Sequence, residues 1–207
     1  GGRQRRRHGD FLQGVVDLRQ GLRLLNAGGL DDAAGASLQR DHFGWLGISL
    51  GGIYGAMMSG STTHIDSFAM NVPGADLVVT LEQSTVLEPL LAQAMIAHGV
   101  AAGSPAYADY EDLAHLVLDP VDPMNLAPRA TTHVPAGWAA KRAIIQMADT
   151  DLVVPNEATH VLSDVTGVAI SAYHPLVSNH GFLLDPTSIE GAKARDQAIA
   201  FLEGNAP

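Results

Sequence analysis

Five residues, Gly47-Ile48-Ser49-Leu50-Gly51, restrict what this chain can fold into more than any other segment of it. They follow an apolar run, Phe43-Gly44-Trp45-Leu46, with the character of a buried strand, and they lead into Gly51–Met58, a small-residue stretch suited to a helix packed closely on a sheet. Strand, tight turn and helix therefore arrive in immediate succession. A serine at such a junction stands on a sharp turn with its hydroxyl clear of the sheet, and glycine on both sides is expected to let strand and helix approach closely. A strand that feeds a helix at once belongs to an alternating α/β chain with a parallel sheet.

The remaining sequence fits that rhythm. From Asp10 to Leu25 the residues Phe11, Leu12, Val15, Leu18, Leu22 and Leu25 recur at helical spacing, and Asn26-Ala27-Gly28-Gly29 ends the helix. A polar connection containing Gly and Ala runs from there to the strand before Ser49. Ile65–Val72 reads as a second strand closed by Pro73-Gly74. Between about residues 75 and 135 the pattern becomes helical and irregular, with helices expected at Glu88–His98 and Asp109–Leu118. Pro120, Pro123 and Pro128 mark the end of that region as loop, because proline lacks an amide donor and disfavours a helical predecessor. Alternation resumes with a strand over Arg142–Ala148, a short helix over Asn156–Leu162 and a strand over Gly167–Tyr173. Thr187 and Glu190 have the spacing of a capping box for a last helix, which Gly204 stops.

Composition narrows the classes of function. A length of 207 residues, 46% of them hydrophobic, suffices for one domain with a sizeable core. The net charge of −10 argues against nucleic acid or an anionic membrane as partner, since the only basic cluster, Arg3, Arg5, Arg6 and Arg7, lies at the start of the chain. No apolar segment reaches the roughly 18 to 20 residues of a spanning helix, so no integral membrane segment is expected. The absence of cysteine rules out disulfides and thiolate metal sites.

A serine hydroxyl becomes a useful nucleophile only when an imidazole takes its proton and a carboxylate holds that imidazole in place. Asp149-Thr150-Asp151 begins where the strand Arg142–Ala148 ends. Asp151 is the first candidate for the carboxylate and Asp149 the second; either could instead be an ordinary helix cap. His180, followed by Gly181, lies just past the last strand and is the candidate base. His174 is nearer to the strand and precedes Pro175, while His160 falls in a helix. The amide of Leu50, at the start of the helix after Ser49, is one donor for an oxyanion; no glycine-rich loop that could supply a second stands between Gly1 and Ser49.

Taken together, Gly47-Ile48-Ser49-Leu50-Gly51-Gly52, then Asp151 with Val154-Pro155, then His180-Gly181 resemble the α/β-hydrolase superfamily. More narrowly, Gly9-Asp10 with Gln13 and Asp17, Asn71-Val72-Pro73-Gly74, Asp119–Asn125 and Val154-Pro155-Asn156 resemble bacterial lipases of the virulence-factor type. The resemblance implies a single α/β-hydrolase domain over residues 1–207, with a mostly parallel sheet, a helical cap inserted at about 75–135, and only the C-terminal portion of such an enzyme, its first strands lying upstream. It implies a lipase- or esterase-like serine carboxylic-ester hydrolase working through an acyl-enzyme, with Ser49 as nucleophile, His180 as base, Asp151 orienting His180 and Leu50 N–H in the oxyanion hole. No cofactor is required, and the partner is a small-molecule ester or lipid. Secretion or attachment to the cell envelope is implied by the resemblance alone.

Leu77, Leu81, Leu90, Leu91, Met95, Tyr107 and Tyr110 are candidates for an acyl pocket or, equally, for the cap's own core. The same triad could transfer the acyl group to an alcohol or amine, and a chain lacking upstream strands could be a non-catalytic binding module. An exposed sheet edge would leave the 207-residue chain of marginal stability.

Overall fold

Parallel strands cannot be joined by tight turns, so each strand of this chain is followed by helix. The computed structural model describes residues 7–28, 42–176 and 180–204. It begins with helix α1 (Arg7–Asn26), and the connection expected after it, residues 29–41, lies outside the described residues. Then come β1 (Gly44–Ile48), α2 (Leu50–Ser59) and β2 (Ser67–Asn71). A helical stretch follows, with α3 (Leu77–Gln83), α4 (Glu88–Ala97), α5 (Pro105–Leu118) and α6 (Pro123–Leu126). The chain closes with β3 (Arg142–Ala148), α7 (Asn156–Thr166), β4 (Ile170–Tyr173) and α8 (Ile189–Leu202).

The four strands form one sheet in the order β1-β2-β3-β4, all parallel. Their register aligns Ile48, Asn71, Gln146 and Ser171 in one row across the sheet. All four strands therefore end at one edge, and the loops that leave them are neighbours there.

Alternation along the strands divides the core between two faces. Phe68, Met70 and Ile145 pack with Ile53, Met57, Met58 and Leu162 of α2 and α7, and with Val15 and Leu22 of α1. Ala69 and Ile144 point to the other face and meet Ala198 and Phe201 of α8. Small residues at 69 and 198 let α8 sit close to the strands. Just beneath the carboxyl edge the α8 face is polar. Asn71 Nδ2 donates to Gln146 Oε1 at 3.1 Å, and Gln146 Nε2 donates to Ala194 O and Gln197 Oε1, both at 2.8 Å. Gln197 Oε1 also accepts from the Tyr173 hydroxyl at 2.8 Å. These bonds pin α8 to β2, β3 and β4 in one position, which apolar contact alone would leave free to slide.

The structure revises three local expectations. The proline-rich end of the helical stretch is not open loop: Asp119–Val121 and Ala127–Ala130 are 3₁₀ turns and Pro123 starts α6, since proline at a first helical position loses no bond. The capping box does not form. Ser188 caps α8 through Gly191 N–H, Thr187 bonds to Asp185, and Glu190 pairs with Lys193. Glycine spacing around Ser49 also differs. A Cβ at Gly47 would strike the Gly51 carbonyl and the Trp45 indole, whereas one at Gly51 meets nothing within 4 Å; the close approach on the helix side is made at Gly52 and Gly55.

Two charged groups hold the surroundings of the sheet. Asp122, 2% exposed, accepts from the amides of Asp76, Leu77 and Met124 at 2.9, 2.6 and 2.9 Å. Burial pushes its carboxyl above the usual range, and the three amides oppose that shift. The Lys141 ammonium donates to the Ser59 and Thr62 carbonyls at the end of α2 and lies 5.4 Å from the Phe68 ring centre and 5.1 Å from that of Trp138. Burial lowers Lys141 from 10.5 to about 8, against the pull of Asp66.

Asp122→Ala strands three amides at once and is expected to lower the unfolding free energy by about 2–4 kcal/mol, read as a lower urea midpoint at unchanged slope. For Lys141 the unfolded chain binds one more proton than the folded chain between pH about 8 and 10.5, so this group's contribution to stability rises with pH across that window. The stability difference between wild type and Lys141→Met should move in favour of wild type from pH 8 to 10.5, which paired urea melts will measure.

Candidate active site

Ser49 sits between the last residue of β1 and the first of α2, at φ 55° and ψ −121°. This positive-φ conformation lies outside the regions open to most residues, and a non-glycine residue adopts it only under constraint. The constraint is visible. Ser49 N–H donates to Asn71 O at 2.9 Å, extending the β1–β2 ladder by one residue, and Ile53 N–H donates to Ser49 O at 3.0 Å to open the helix. Trp45 Nε1 donates to Gly51 O at 3.0 Å, fastening the strand to the first turn of α2. Ser49 makes no capping bond to its own helix, so the hydroxyl is not spent locally. Leu50 opens α2, and its amide has no acceptor within that helix.

Beyond β3 the chain turns through Thr150, also at a positive φ of 53°, to reach Asp151. The Asp151 side chain is 2% exposed. Its Oδ1 accepts from Val153 N–H at 2.8 Å and Val154 N–H at 3.1 Å, which fixes the carboxylate within its own loop. The remaining capacity goes to His180, whose Nδ1 lies 2.8 Å from Oδ2 and 3.0 Å from Oδ1. A carboxylate can only accept, so Nδ1 carries the proton and Nε2 is left as the basic nitrogen. The His180 side chain is 21% exposed while its partner stays buried.

The two side chains set aside by chain position form a pair of their own. His174 Nδ1 lies 2.5 Å from Asp149 Oδ2, with side chains 69% and 51% exposed, and His174 N–H reaches Glu190. Sequence spacing does not distinguish this pair from the first; burial does. Neither aspartate caps α7, whose N-cap, Pro155, has no side-chain bond.

The structure thus joins His180 to Asp151 and brings the Ser49 turn to the same sheet edge. Ser49 and His180 are not hydrogen-bonded to each other. Among the described residues no three metal-ligating side chains gather.

The acyl-pocket candidates separate. Leu77 is buried in the core, Leu90 is exposed, and Leu91, Met95 and Tyr107 line a cavity of about 110 Å³ between α4 and α5. That is below the roughly 300 Å³ at which small-molecule sites begin. A larger cavity, about 830 Å³, lies between α1 and the side of β1 and α2 away from β2, against Leu22, Trp45, Gly51 and Tyr54. Leu46, 50% exposed, faces outward on that edge strand.

No family model and no curated protein matches the chain. Solved structures do. An acylaminoacyl peptidase of Pyrococcus horikoshii superposes with a TM-score of 0.57 at 14% identity, over 81% of this chain and 24% of that one. Acetyl xylan esterase 1 of Thermoanaerobacterium gives 0.56 at 14% identity over 82% and 48%, and a fungal esterase of Rhizomucor miehei gives 0.54 at 15% over 92% and 58%. These are α/β-hydrolase structures, and the present fold, a four-stranded parallel sheet flanked by helices, matches theirs. The chain spans about a quarter to three fifths of their lengths.

Gly47→Ala is expected to deform the turn that carries Ser49, lowering the melting temperature by several degrees as the new methyl displaces the Gly51 carbonyl or the Trp45 indole. Gly51→Ala, where there is room, should leave it nearly unchanged; differential scanning calorimetry compares the two.

Proposed function

We propose that this chain carries the catalytic triad of a serine hydrolase that cleaves carboxylic esters, lipase- or esterase-like in its chemistry. The observation that carries the reading is the pairing of His180 with the buried Asp151 carboxylate at the sheet edge where Ser49 is held at a strained positive φ. In this reading His180 Nε2 takes the Ser49 proton as the oxygen attacks the ester carbonyl. Asp151 keeps Nδ1 protonated and stabilises the imidazolium that forms. Leu50 N–H meets the developing oxyanion. The proton then passes from His180 to the leaving alkoxide, and the acyl-serine is hydrolysed by water activated at the same imidazole.

Amide cleavage is the second reading, since acylaminoacyl peptidases are among the structures with this fold. The same residues would serve, with His180 protonating an amine in place of an alkoxide. Both readings predict that the wild type is labelled by a fluorophosphonate and turns over a short or a long p-nitrophenyl ester, and that Ser49→Ala loses the label and at least about 10³-fold in kcat. Equal activity in Ser49→Ala would remove the nucleophile assignment. Comparison of p-nitrophenyl esters with acyl-amino-acid anilides separates the two substrate classes.

A further inference from the structure

Asn156 opens α7, where an asparagine ordinarily turns its side chain to its own helix. Here it reaches backwards. Oδ1 accepts from Asp151 N–H at 3.0 Å, and Nδ2 donates to Ala148 O at 3.1 Å. One amide group therefore ties both ends of the segment between the last residue of β3 and the aspartate that faces His180. Within that segment Thr150 is held at φ 53°, a conformation that a β-branched residue keeps only when its surroundings impose it. The residue after Asp151 is fastened from the helical stretch, where Thr85 N–H and Oγ1 both donate to Leu152 O, at 2.9 and 2.7 Å.

We propose that Asn156 is a positioning residue for the reaction, holding the Asp151 backbone where its carboxylate receives the His180 Nδ1–H. This rests on the serine-hydrolase reading above. The Asp151 carboxylate is fixed relative to Val153 and Val154, so it moves with its loop, and the Asn156 amide is the side chain that spans that loop. A purely stabilising role would predict lost stability and nothing more.

The test uses the 207-residue chain and three variants. Asn156→Ala is expected to lower kcat roughly 10- to 100-fold with KM changed by less than about twofold, because orientation is lost and substrate contact is not. The low-field proton signal of His180 Nδ1–H in the NMR spectrum should broaden or vanish. Asn156→Asp keeps an acceptor for Asp151 N–H and should retain more of kcat than alanine does. Thr159→Ala, which removes a buried bond of the same helix to Pro73 O, should reduce stability while sparing kcat and the signal. A folded Asn156→Ala with wild-type kcat and signal would overturn the proposal, as would Thr159→Ala lowering both to the same degree. If the alanine variant does not fold, Asn156→Asp decides: it has lost the donor to Ala148 O, so kcat should fall several-fold and the signal shift, and no change in either refutes the role. Since the signal requires no turnover, an inactive wild type would defeat the hydrolase reading while the signal still reports whether Asn156 positions the pair.

Discussion

The parallel ladder that joins β1 to β4 in chain order determines where everything else can be. Parallel pairing forces each strand to run the same way, so the loops after Ile48, Asn71, Ala148 and Tyr173 leave from one edge. The ladder continues past the regular strands, with Ser49 N–H to Asn71 O, Val72 N–H to Gln146 O and Asp149 N–H to Tyr173 O. The first residues of three loops are thereby held by the neighbouring strand. Beneath them the Asn71–Gln146–Gln197 bonds fix the height of α8 against the sheet. Slippage of one strand by one residue would both break the row and send its apolar side chains to the wrong face.

Strands and helices were legible in the sequence wherever their pattern was set by burial. β2 and β3 lie in the sheet interior, and the corresponding runs Ile65–Val72 and Arg142–Ala148 are apolar enough to be read directly. α7 runs to Thr166, past the expected Leu162, because its last turn is polar and closes on the left-handed Gly167. Local rules failed where two of them competed. Thr187 and Glu190 have the right spacing for a capping box, but the adjacent Ser188 reaches the helix amide first and Glu190 has Lys193 within reach. Gly51 completes a motif without being tightly packed by any described residue, something only coordinates can reveal.

The candidate site shows the same division. Order along the chain selects Ser49, Asp151 and His180 as candidates, yet the Asp149–His174 pair uses the same residue types two and six positions away. What separates them physically is solvent. An exposed pair is worth roughly 0–1 kcal/mol and is screened by salt, so Asp149 and His174 add little. The Asp151 carboxylate, nearly inaccessible, would be costly to bury without the two amides and the imidazole that satisfy it. Desolvation strengthens its hold on His180 and makes the ring's orientation a property of the fold. Asn156 escaped notice because an asparagine just after proline at a helix start has an ordinary local explanation.

Among the described residues, the non-glycine positions with positive φ are Ser49, Val72, Asp76 and Thr150. All four lie in loops that leave the sheet at its carboxyl edge. Each such conformation costs on the order of 1–3 kcal/mol, and two of the four residues are β-branched, for which the region is least accessible. Chance placement of strain would scatter it over the many turns elsewhere in the molecule, which instead use glycine, as at Gly99, Gly103, Gly137 and Gly167. Each strained residue has a restraint beside it. Ser49 and Val72 are held by neighbouring strands, Asp76 by the Asp122 carboxylate, and the Thr150 segment by Asn156. Strain concentrated on one edge and opposed there by buried polar groups is what a preorganised site requires. It holds the Ser49 turn and the Asp151 loop in one arrangement, as the proposed reaction would need of them.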